Sequence, residues 1–168
     1  SEQPVIETPS GFYQNSVTVS MSVPDGLTIR YTLDGSVPDE TSPVYDGSLT
    51  FTDPSSQPNV YSARTDIAAE TTAYLPPTEA VDKAVILRAP AFDADGNQSN
   101  PVTATYFINL DRKEGYQNAW IVSLISEPDN LFSDERGIYV RGSVYEQALQ
   151  DGIIYEEFPW IDLMDYMN

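Results

Sequence analysis

Ser16-Val17-Thr18-Val19-Ser20-Met21-Ser22-Val23, then Pro24-Asp25-Gly26, then Thr28-Ile29-Arg30-Tyr31-Thr32-Leu33, is the stretch whose pattern decides the fold. Val17, Val19, Met21 and Val23 alternate with Thr18, Ser20 and Ser22. A period of two is the signature of a strand buried on one face. Ile29, Tyr31 and Leu33 repeat it. Between the two runs, Pro24 fixes φ and Gly26 accepts a positive φ, which makes a turn. The two runs are expected to pair as an antiparallel hairpin.

The same grammar extends outward on both sides. Residues 1–10 read as an extended, proline-containing lead. Asp34-Gly35 closes the second run with a tight turn, and residues 36–47 read as loop. Ser48 to Thr52 is a short strand. Residues 53–80 carry prolines at 54, 58, 76 and 77 and no clear period. Such a stretch inside a small domain marks an inserted loop with its own role. Val85 to Phe92 is a strand built around Ile86, Leu87, Ala89 and Ala91. Asp95-Gly96-Asn97 turns the chain, and Val102 to Ile108 is a further strand. Short strands separated by Pro, Gly and Asp predict a mainly β fold. Its natural form over residues 1–108 is an immunoglobulin or fibronectin type III-like β-sandwich.

Beyond residue 108 the composition changes. Residues 109–118 are polar and read as a linker. Residues 119–168 read as a partial α+β segment. Trp120 to Ile125 is an apolar, strand-like run, and Ile138-Tyr139-Val140 is a short strand. Ser143 and Glu146 have capping-box spacing for a helix running to Leu149. Phe158 to Met167 has the spacing of an amphipathic helix. Trp120 and Trp160 are expected in a core. About 50 residues of this kind bury little core by themselves, so the segment is expected to be the start of a larger domain.

Composition excludes several classes. The formal charge is −18, from 26 acids and 8 bases. Residues 1–108 hold 14 acids and 4 bases and residues 109–168 hold 12 and 4, so no acidic tail exists. Nucleic acid and anionic membrane surfaces need clustered Lys and Arg, so neither is an expected partner. The chain has no cysteine and no histidine. That removes disulfides, thiolate metal sites and the Ser-His-Asp triad. No apolar run approaches the length of a membrane span. Ser1 opens a polar segment without a signal peptide, as in a mature or trimmed chain.

Several motifs carry a family resemblance. Gly11-Phe12-Tyr13, Ile29 to Ser36 with Pro38, Leu87-Arg88-Ala89 and Thr105-Tyr106-Phe107 resemble the fibronectin-like domain at the C-terminus of chitobiases and β-hexosaminidases. Residues 59–64 and 77–83 look like an insertion carried by the version of that domain that precedes a CotH (spore coat protein H) domain. Ile121-Val122-Ser123-Leu124, Pro128 to Phe132 and Gly137 to Gly142 resemble the start of the CotH domain itself. CotH-like proteins have an atypical protein-kinase fold and phosphorylate protein serines. The resemblance implies that their catalytic and metal-binding aspartates would lie beyond Asn168. The residues agree with that: there is no Gly-rich phosphate loop, and Lys83 and Lys113 are the only lysines.

Candidate sites are few. Asp93, Asp95 and Asn97 alternate around Gly96 as oxygen ligands of calcium do, although no Glu follows at EF-hand spacing. A hairpin turn explains the same run. Asp34-Gly35-Ser36 reads as a turn whose Asp side chain caps backbone amides. Tyr45, Tyr61 and Tyr74 fall in loops and are the candidates for stacking on sugar rings; the bland alternative is that they roof the core. Glu156-Glu157 and Asp162 with Asp165 read as a solvated face rather than a glycosidase pair. No catalytic residue and no cofactor is expected, calcium apart. The expected role is a non-catalytic, extracellular bacterial accessory module that meets a protein or polysaccharide partner at the cell surface. The rival readings are a carbohydrate-binding module and a fragment of a secreted kinase. Exposed strand edges also offer a route to a homodimer.

Overall fold

The computed structural model describes residues 2–67 and 75–153. The backbone falls into two compact units, Ser1–Gln57 with Ala80–Ile125 and Pro58–Glu79 with Ser126–Asn168. The division interleaves in sequence. Residues 58–79 group with the C-terminal part, while residues 109–125 stay with the first unit, where a cut near residue 108 was expected.

The first unit is built from β1 (Val5–Ile6), β2 (Gly11–Tyr13), β3 (Ser16–Ser22), β4 (Thr28–Ile29), β5 (Ser48–Thr52), β6 (Val85–Ala89), β7 (Ala91–Phe92) and β8 (Val102–Ile108). One sheet has the order β1-β3-β5 and is antiparallel. The other has the order β2-β8-β6, with β2 parallel and β6 antiparallel to β8. β4 pairs β7, and bridges from Thr32 to Arg88 and from Asp34 to Ile86 continue that pairing along β6. The fold is mainly β, as expected, in the manner of a β-sandwich.

The hairpin between residues 16–23 and 28–33 does not form. β3 pairs β1 and β5, whereas β4 pairs β7. The turn at Pro24-Asp25-Gly26, with Gly26 at φ +86°, passes the chain from one sheet to the other. Alternation tells which face of a strand is buried but not which strand lies beside it. Val17, Val19 and Met21 of β3 and Ile29 of β4 do bury as their period requires, in one core. The strand over 85–92 is broken at Pro90, which has no amide to donate. Its core residues are Val85, Leu87 and Ala89 rather than Ile86.

Ala104, Tyr106 and Ile108 of β8 complete that core, with Tyr13, Tyr31, Tyr45, Leu49 and Phe51 around it. Tyr106 is fully buried, lies 5.9 Å from the Tyr13 ring and 6.1 Å from Phe51, and donates to the Thr8 carbonyl at 2.9 Å. The polar stretch after β8 is held to this unit. The Asn109 side chain accepts from the Asn15 amide at 2.8 Å, and Leu110 is buried.

The second unit contains a 3₁₀ turn at Tyr61–Ala63, α1 (Pro128–Phe132) and α2 (Gly142–Gln150). Its small core is Val140, Tyr145 and Ala148 with Leu149. Residues 138–140 form no strand, only one bridge from Val140 to Ile67. The capping box is not formed either. α2 starts at Gly142, so Ser143 is already inside the helix, and the preceding Arg141 makes no side-chain cap. Trp120 to Ile125 forms no strand, and Trp120 is 99% exposed rather than in a core. The expected helix over 158–167, with Trp160, and the acidic pairs at 156–157 and 162/165 lie outside the described residues.

Candidate functional site

The acidic loops of the first unit share one device. Asp34 Oδ1 accepts from the Ser36 amide at 3.0 Å, Asp39 from Thr41 at 2.8 Å and Asp53 from Ser55 at 2.9 Å. Asp93 accepts from the amides of Asp95 at 3.0 Å and Asn97 at 2.9 Å. A carboxylate bonded to the amide two residues on closes its own turn. These bonds favour the charged form. The Asn97 amide, and then its side chain, hold the Asp93 carboxyl below the usual range. The Thr41 hydroxyl and amide do the same for Asp39. At Asp53 burial pushes the other way, and the hydroxyl and amide of Ser55 with the Lys113 charge outweigh it. The caps at Asp39 and Asp53 were missed in the sequence, although D-x-S/T spacing signals both.

Asp93, Asp95 and Asn97 do lie in one loop, and both Asp93 oxygens accept bonds from within it. Asn97 Nδ2 adds donors to both Asp93 oxygens, at 3.3 and 3.2 Å. Among the described residues no group of three His, Cys, Asp or Glu side chains is placed to hold a metal ion. Gly96 takes φ +83°, and a Cβ there would stand 2.9 Å from Glu40 Oε1.

The tyrosine candidates separate. The Tyr45 ring packs against the sandwich core, and its hydroxyl accepts from the Met21 amide at 3.0 Å. That amide lies just past Ser20, where the β3–β5 pairing ends, so Tyr45 completes a strand edge. Tyr61 stacks on Phe132 with centroids 5.1 Å apart and planes 11° apart. Phe132 also lies 6.1 Å from Tyr139 and beneath the Arg64 guanidinium, 4.7 Å away. Arg64 in turn pairs with Asp66. Tyr61 is 40% and Tyr139 55% exposed. Rings stacked on one another cover each other's faces, whereas a sugar platform needs those faces open. Tyr74 lies outside the described residues. Phe132, Tyr139 and Arg64 lie in motifs quoted from the sequence but were not among its site candidates, because no local pattern links them to Tyr61.

Two further clusters bring distant motifs together. Thr32 and Arg88 exchange backbone bonds at 3.0 and 3.1 Å, and the Arg88 guanidinium donates to the Gly35 carbonyl at 2.8 Å. The Asp34-Gly35-Ser36 turn is thus anchored by the Leu87-Arg88-Ala89 motif. Both lysines of the chain sit where the 58–79 segment leaves and rejoins the first unit. The Lys83 amide donates to Ser55 Oγ at 3.1 Å, and the Lys113 ammonium pairs with Asp82 and lies 4.0 Å from Asp53.

A family model for the chitobiase/beta-hexosaminidase C-terminal domain matches residues 8–103, more than half of the chain. The chain belongs to this family. The chitobiase/β-hexosaminidase C-terminal domain is a non-catalytic accessory domain. The match runs from Thr8 through the inserted segment into β8, and so takes in the turns and the Arg88 anchor described above. The CotH-like reading of residues 119–168 draws no support from it. No match was found among curated proteins or solved structures. Among the described residues no helix is long and apolar enough to cross a membrane.

Proposed function

We propose that this chain is the accessory part of a secreted bacterial protein, in which the chitobiase-type sandwich serves as mount and interaction module for a second, CotH-like domain. The observation that carries the reading is the grouping of residues 58–79 with residues from 126 onward in one compact unit. The bridge from Ile67 to Val140 and the Tyr61–Phe132 stack lie inside that unit. An insertion of the accessory domain that builds part of the next unit is what a mount requires. Extracellular placement is supported by the family, since chitobiase-type domains belong to secreted glycosidases.

The purified chain is expected to cleave no chitooligosaccharide, and to transfer no phosphate from ATP with Mg²⁺ to a serine peptide. It is also expected to run unretarded in gels containing chitin, cellulose or xylan. Turnover by this chain would overturn the accessory reading. Retardation abolished by Tyr139→Ala would replace it with carbohydrate binding.

A further inference from the structure

The polar stretch after β8, expected as a linker, is a run of three consecutive turns. The Lys113 amide donates to the Leu110 carbonyl at 3.1 Å, the Tyr116 amide to Lys113 at 3.2 Å and the Ala119 amide to Tyr116 at 3.3 Å. Its start is fixed by the buried Leu110 and by the Asn109 amide, which donates to the Tyr13 carbonyl at 2.9 Å. Single turns fix several dihedrals for one hydrogen bond and do not persist by themselves. Side chains hold these. The Lys113 ammonium pairs with Asp82 and lies 4.0 Å from Asp53. The Tyr116 phenol bonds the same Asp82 carboxylate. Asp53 directly follows β5, where the chain leaves toward the inserted segment, and Asp82 stands before β6, where it returns.

We infer that Lys113, Asp82 and Asp53 form an ionic clip that ties residues 109–119 to both limbs of the inserted segment, and that this stretch becomes a loose linker when the clip is screened or its charge removed. Charge gives the clip its direction. Residues 53–82 hold five acids and one base, whereas residues 109–119 hold two of each. The limbs therefore repel most of an acidic chain and attract this part of it. The hydrogen bond to Asp82, and then the charges of Asp82 and Asp53, hold the Lys113 ammonium above its usual range against the effect of burial. The side chains of Lys113, Asp82 and Asp53 are 37%, 31% and 25% exposed, so dissolved ions reach the clip and weaken it. All of these groups lie in the first unit. The clip is thus independent of the accessory reading, and its failure leaves that reading untouched.

Amide-resolved hydrogen exchange of the full chain tests it, with the amides of Lys113, Tyr116 and Ala119 as reporters. Lys113→Gln is expected to speed their exchange by about three- to fivefold, the scale of a partly exposed ion pair, and to leave the amides of β8 unchanged. Asp82→Asn is expected to do the same. Lys113→Arg keeps the charge and is expected to keep the protection. Added salt is expected to speed exchange of the three reporters in the unaltered chain and not in Lys113→Gln. Reporters indifferent to Lys113→Gln or to salt, equal loss in Lys113→Arg, or loss that spreads through β8 would each overturn the proposal.

Discussion

At the scale of the residue, four of the 26 acids of this chain hold turns. Asp34, Asp39, Asp53 and Asp93 each hold a turn through a carboxylate bonded to backbone amides. For Asp39 and Asp93 the folded pKa is lowered. Such a group adds stability that is present above its unfolded pKa and is lost as pH falls through the folded one. Thermal melts are therefore expected to move down below about pH 4, and Asp93→Asn is expected to flatten that dependence. Calcium against chelator is expected to leave the melting temperature unchanged, because the Asp93 oxygens already hold their own loop. Tyr106 acts at the other end of the scale. Burial, and then the neighbouring Tyr13, push its phenol up to about 12. The folded state keeps that proton where the unfolded chain releases it, so stability is lost as pH rises from about 10 toward the folded value. Tyr106→Phe is expected to weaken the alkaline transition in melts monitored by circular dichroism. Of these features, D-x-S/T and D-x-D spacings were legible in the sequence. The tyrosine candidates were not separable there, because Tyr45 and Tyr61 both look like loop residues until their ring partners are known.

At the scale of the element, Gly137 lies tightly against the end of α1. A Cβ on Gly137 would stand 2.5 Å from the Ser133 amide nitrogen, 2.6 Å from its carbonyl oxygen and 2.7 Å from the Phe132 nitrogen. These are backbone atoms of the end of α1 and cannot swing aside. Gly137→Ala is expected to cost about 1–3 kcal/mol, the range for overpacking. Hydrogen exchange should show the loss in residues 128–150 and not in β3, β6 or β8; equal loss everywhere would mean the units do not open separately. In the sandwich the comparable element is β6. Leu87 is fully buried, and Leu87→Ala is expected to cost about 2–5 kcal/mol, read from denaturant melts. β3 was visible as a period of two, and β5 and β8 as short strand-like runs. β4 was visible too, but its neighbour was not, since strand partners are chosen by burial across the whole core. The short strands β1 and β2 offer too few residues for a period to show.

At the scale of the whole molecule, the chain builds two units from interleaved segments. Residues 55 and 83 meet through the Lys83 amide and the Ser55 hydroxyl, so the sandwich is closed where the 58–79 segment departs. Replacing residues 58–79 with a short Gly-Ser linker is expected to leave β6 and β8 protected from exchange. Residues 138–150 are expected to lose protection at least about tenfold. If β6 and β8 lost protection as well, the segment would belong to the sandwich. By itself the sequence determined the mainly β class, the buried face of β3, the capped turn at Asp34 and the absence of cysteine and histidine chemistry. These are local matters, fixed by periods of two and by the φ preferences of Pro, Gly and Asp. Only the tertiary structure decided which sheet each strand joins, that the inserted segment belongs with the C-terminal unit, and that Trp120 faces water. Those outcomes depend on contacts between residues far apart in the chain, and such contacts are selected by the total area they bury, which no local pattern records.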